Sequence, residues 1–88
     1  MDYRLLIGYE INHKSHSVEV SYDTYEEQQE GFEWYLFKAT REEIKEVTSG
    51  TNKKALGFRV LILDDEDNII KVGKINLNNR SKSYIVEG

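Results

Sequence analysis

The 88-residue chain contains no cysteine and no proline, and only one methionine and one tryptophan. Without a thiol there are no disulfides, no thiolate metal sites and no cysteine nucleophile, so the fold must stand on packing. No apolar run approaches membrane-spanning length, and Asp2 stands where a signal peptide carries positive charge. A cytosolic protein is the expectation. Asn79-Arg80-Ser81 fits the glycosylation pattern, but without a secretion signal it reads as coincidence.

A chain of 88 residues is expected to form one domain over positions 1–88. Such a domain buries only about 60 to 65% of its unfolded surface, which leaves a thin core and little room for a deep enclosed site. The 39% hydrophobic content with ten aromatics is globular, and 32% charged residues suit a soluble surface. The net charge of −4 is uneven, since residues 1–49 hold eleven acids against five bases and residues 50–88 five against seven. An acidic first half could meet a basic partner.

Tyr3, Leu5, Ile7, Tyr9 and Ile11 alternate with less apolar neighbours and read as a strand. Ser17 to Tyr22 repeats the alternation, so a hairpin with its tip in residues 12–16 is expected. Thr24 and Glu27 have capping-box spacing, leaving residues 24–31 open between helix and loop, with Gly31 as the stop. Phe32, Trp34 and Leu36 alternate with Glu33 and Tyr35 in a run of strand-preferring aromatics, which predicts a third strand. A helix from Thr24 through Phe37 competes, because Phe32, Tyr35, Leu36 and Ala39 also have helical spacing. Thr40 and Glu43 form a second capping box and predict a short helix near residues 41–48, stopped by Gly50. Ala55 to Leu63 is the best candidate for a central strand, Asp64 to Asn68 a turn, Ile69 to Leu77 its antiparallel partner, and Ser83 to Val86 a final edge strand after a turn at residues 78–81.

The expected fold is therefore α+β, a mainly antiparallel sheet of five to six strands with one short helix between strands 3 and 4. A small open barrel of oligonucleotide-binding topology has a compatible order.

The titratable candidates for catalysis, His13, His16, Glu10, Glu33, Asp64, Asp65 and Asp67, make no catalytic set, and no catalytic residue, metal or cofactor is expected. His13 and His16 suit a solvated hairpin tip. The acidic run Asp64 to Asp67 lacks the midpoint glycine and terminal glutamate of a calcium loop and reads as a turn. The expected role is noncatalytic protein binding or regulation, with a protein partner or a homo-oligomer. Tyr35 and Phe37, on the strand face opposite Trp34, and the acids Glu26, Glu27 and Glu30 are the interface candidates. One alternative is a single-stranded nucleic-acid module that stacks bases on Tyr9, Tyr35 and Tyr84 beside Arg59, Lys71, Lys74, Arg80 and Lys82, although net acidity opposes it. Another is an acidic decoy that occupies a nucleic-acid-binding protein through Glu26, Glu27, Glu30, Glu33 and the helix acids Glu42, Glu43 and Glu46.

Overall fold

The computed structural model describes residues 3–49, 55–77 and 83–86. The first hairpin joins β1 (Tyr3–Ile11) to β2 (Lys14–Tyr22). Its loop is Asn12 and His13, both left-handed at φ 51° and 66°, between the paired residues Ile11 and Lys14. Two positive-φ residues in a two-residue loop make a type I′ turn, whose twist matches that of the strands. Residue 12 tolerates this geometry because asparagine favours the left-handed region.

The chain then turns helical. α1 (Tyr25–Glu33) starts at Thr24, whose Oγ1 accepts the Glu27 amide at 3.1 Å while its hydroxyl donates to Glu27 Oε1 at 3.0 Å. It runs directly into a π turn at Trp34–Lys38, closed by the Ala39 amide donating to the Trp34 carbonyl at 2.7 Å. A second helix, α2 (Arg41–Ser49), begins with the reciprocal box in which the Glu43 amide bonds Thr40 Oγ1 and the Thr40 amide bonds Glu43 Oε1, both at 3.1 Å. The remaining strands are β3 (Leu56–Leu63), β4 (Ile69–Lys74) and the three-residue β5 (Tyr84–Val86).

All strand pairings are antiparallel, in the order β2-β1-β3-β4-β5. Four strands of six to nine residues form the body of an open sheet, and β5 extends its β4 side. This corrects the expected architecture. The third strand at Phe32 to Phe37 does not exist, two helices rather than one fill the connection, they lie between the second and third strands, and the sheet does not close into a barrel. The helical spacing prevails because it gathers Phe32, Tyr35, Leu36 and Ala39 on one side, at 1%, 7%, 0% and 1% exposure. A strand would have put Tyr35 on the face opposite Phe32 and Leu36. Gly31 does not stop the helix but lies inside α1, and the expected stop at Gly50 and the turn at residues 78–81 lie outside the described residues.

The helices cover one face of the sheet. Leu5, Ile7, Tyr9, Phe58, Val60 and Ile62 point toward them and form the core with Phe32, Leu36 and Ile44. Gln28 is buried in α1 and its amide donates to the Arg4 carbonyl at 3.0 Å, fixing the helix to β1 without leaving a buried polar group unpaired. Tyr9 likewise donates its hydroxyl to the Thr48 carbonyl at 2.8 Å, which holds the end of α2. A glycine at residue 73 of β4 makes room for the helical layer: a Cβ there would sit 2.8 Å from Leu36 Cδ1 and 3.1 Å from Phe32 Cζ.

Candidate functional site

Where α1 crosses the end of β2, an open groove of about 690 Å³ forms between Tyr22, the exposed side of α1 and the π turn. Its helical wall is a single stripe, Glu27, Glu30, Gly31, Trp34 and Lys38, at the spacing of one helix face, with Glu33 and Tyr35 beside it. Its opposite wall is the Tyr22 ring. Gly31 permits this closeness, because the Tyr22 hydroxyl occupies the place that a Cβ on Gly31 would take. The π turn matters too: one extra residue in the last turn rotates the chain, and such turns recur at functional sites.

The electrostatics of the groove are set by three exposed carboxylates against one ammonium, over aromatic surface. The Trp34 and Tyr35 rings meet edge to face with centroids 4.9 Å apart, so each limits the other's rotation. Burial pushes the Tyr22 phenol up from 10.0 to about 12, with the neighbouring Tyr35 adding to the shift. Burial also raises Tyr35, helped by the Glu43 carboxylate. Both phenols are thus held protonated at neutral pH, which makes them hydrogen-bonding aromatic walls and poor proton acceptors.

Because the folded phenol is harder to ionise than the unfolded one, Tyr22 contributes stability that is fully present below the unfolded value of 10.0 and is lost as pH rises through about 12. Tyr22→Phe should therefore flatten the loss of stability across that alkaline interval, as measured by urea unfolding at stepped pH. An equally steep loss in the variant would show that another group controls the alkaline limb.

Of the interface candidates, Glu27 and Glu30 line this groove, whereas Glu26 lies in the first turn of α1 away from the lining. Tyr35 is buried and Phe37 exposed, the reverse of a shared strand face. Residue types and spacing single out none of Tyr22, Gly31 and Lys38 as site residues, make Trp34 an interface candidate better placed in the core, and put Glu33 among both the catalytic and the decoy acids. The stripe spaced 27-30-31-34-38 carried the signal, and it disappears when the segment is read as a strand.

The alternative nucleic-acid set is divided between the two sides of the sheet. Tyr9 and Lys71 are on the helix-covered face, where Tyr9 stacks on Phe58 and His16 and the Lys71 Nζ lies 5.2 Å from the centre of the Phe32 ring. Tyr35 is buried on that side as well. Arg59 and Lys74 are paired on the helix-free face, with Tyr84 next in register, and Arg59 lies 3.9 Å from Glu10 Oε1. Arg80 and Lys82 lie outside the described residues. For the decoy reading, Glu27 and Glu43 are engaged in helix capping, and Lys38, Arg41 and Lys45 interrupt the remaining acids.

The acidic run after β3 has an internal use. Asp64 Oδ1 accepts the amides of Glu66 at 2.9 Å and Asn68 at 2.8 Å, and Oδ2 accepts the Asn68 side-chain amide at 3.1 Å. The Asn68 backbone bond is the main reason that the Asp64 carboxyl is held below its ordinary range. Arg4 closes the turn from beneath by pairing with Asp67 and donating to the Asp64 carbonyl at 2.7 Å.

Comparison of the chain with protein-family models, curated proteins and solved structures finds no match. Among the described residues no helix is long and apolar enough to cross a membrane, and no three histidine or acidic side chains are grouped to hold a metal.

Proposed function

We propose that this chain is a small noncatalytic binding domain that takes a basic segment of another protein in the groove between Tyr22, α1 and the π turn. The observation that carries the reading is the placement of Glu27, Glu30 and Glu33 around the Tyr22 and Trp34 rings in one open groove. A lysine or arginine side chain is the complementary ligand, because its stem packs on aromatic surface while its head bonds carboxylates and interacts with the ring faces. The volume suits a few side chains rather than a folded surface. Lys38 at the end of the lining gives direction, favouring a segment with an acidic or carboxylate group on that side. The noncatalytic part rests on the lining chemistry, since the groove offers phenols held protonated and exposed carboxylates but no histidine or activated nucleophile.

Trp34 is the sole tryptophan, so its fluorescence reports the groove directly. Titration with a lysine- and arginine-rich peptide is expected to change Trp34 emission saturably and in a salt-sensitive way, whereas a glutamate-rich peptide of equal length leaves it unchanged. Equal responses to both peptides, or none to the basic one, would overturn the assignment. Single-stranded oligonucleotide that binds by fluorescence anisotropy of a labelled strand yet leaves Trp34 emission unchanged would favour instead the helix-free face with Arg59 and Lys74.

A further inference from the structure

We infer that two copies of this chain join edge to edge through β2, forming one continuous antiparallel sheet across a twofold axis. β2 is an end strand of the sheet, and among the described residues nothing pairs with its outer side. It is nine residues long, pairs with β1 without a register shift and contains no proline or glycine. Length, regular pairing and lack of proline are features that protected edges avoid, and Lys14 and Glu19 are its only charged side chains. At the other end, β5 spans only three residues.

The first turn determines which backbone groups are free. In a two-residue hairpin loop the flanking pair, Ile11 and Lys14, exchange both backbone hydrogen bonds, and the pattern alternates along the ladder. Ser15, Ser17, Glu19 and Ser21 therefore direct their N–H and C=O groups outward. A symmetric antiparallel partner must match these odd positions with one another. The register with Val18 opposite the partner's Val18 does so and uses the whole strand, with Ser17 against the partner's Glu19 and His16 against the partner's Val20. It places two half-buried valines face to face on the helix side, where each is now open toward the edge.

Charge complementarity selects a second copy. In this register Lys14 stands opposite the partner's Tyr22, the wall of the acidic groove, so the Lys14 ammonium of each copy meets the acidic helix of the other. The strand pairing holds independently of the basic-segment reading, and only the Lys14 contact rests on it.

The test is sedimentation equilibrium of the full chain from micromolar to millimolar concentration, for the native sequence and for Ser17→Pro. Proline is tolerated in an edge strand where the N–H faces solvent, so this variant removes an outward donor while leaving the β1 pairing intact. A native dimer and a folded Ser17→Pro monomer, by circular dichroism, are the expected results. A native chain that is monomeric throughout, or a dimer that survives Ser17→Pro, overturns the edge pairing. If Ser17→Pro fails to fold, amide exchange of the native chain decides: protection at Ser15, Ser17 and Glu19 that is lost on dilution supports the pairing, and fast exchange there at all concentrations overturns it. Lys14→Glu, which removes the contact at both ends of a twofold dimer, is expected to raise the dimer dissociation constant on the order of a hundredfold; no change removes the Lys14 contact. A basic peptide that still shifts Trp34 emission in the Ser17→Pro monomer shows that the groove works without the dimer, so the two readings fail separately.

Discussion

Phe32→Ala is expected to destabilise the domain by about 3–5 kcal/mol, the range for removing a fully buried aromatic ring. Small domains have a total stability of only about 5–15 kcal/mol, so much of the population should be unfolded at moderate urea. The size of the effect follows from the position. Phe32 is almost completely buried, its ring sits over the space left by Gly73, and the Lys71 ammonium lies on its face at 5.2 Å. Gly73→Ala acts on the same contact from below and should cost about 1–3 kcal/mol by overpacking. Its methyl would meet Leu36 Cδ1 at 2.8 Å and Phe32 Cζ at 3.1 Å, so part of that cost should vanish in the Phe32→Ala background. Urea unfolding of the two single variants and the double variant gives the coupling. Additive losses would mean that α1 does not rest on β4 as described.

Reversing the two groove carboxylates that take no part in capping should abolish recognition of a basic segment while sparing the fold. Glu30 and Glu33 are exposed on α1 and line the groove, whereas Glu27 also bonds Thr24 and is better left unchanged. Two charged hydrogen bonds lost amount to about 3 kcal/mol or more, on the order of a hundredfold in Kd for a lysine- and arginine-rich peptide. The Glu30→Lys, Glu33→Lys double variant should retain its circular dichroism and urea midpoint, lose the Trp34 response to the basic peptide and acquire one to the acidic peptide. Asp65→Lys, Glu66→Lys in the β3–β4 turn makes the control, since it alters net charge by the same amount on two exposed residues outside the groove lining. If both variants weaken binding equally, the attraction is that of overall charge and no groove is involved.

Much of the chain was legible before any coordinates. The hairpin of β1 and β2, the capping boxes at Thr24 and Thr40, the apolar β3 and the turn at Asp64 each rest on interactions between near neighbours in sequence, and those are encoded by spacing and residue type. The segment from Phe32 to Phe37 is different. Its aromatics satisfy a two-residue and a 3.6-residue period at once, and local propensity favours the strand. The groove was lost with that choice, since Glu30, Glu33 and Trp34 fall on one wall only when α1 continues into the π turn, and Tyr22 enters only through the packing of β2 against Gly31.

The sequence by itself determined that the chain is small, free of thiols and rich in aromatics, that its first half is acidic, that a helix starts after Thr40 and that a turn follows Leu63. Tertiary structure alone decided that residues 32–38 coil above the sheet and that β2 is left at an edge. The reason is that Phe32 and Leu36 find their space above Gly73, a residue about forty positions away, and contacts over such distances leave no periodic trace in the segments that make them.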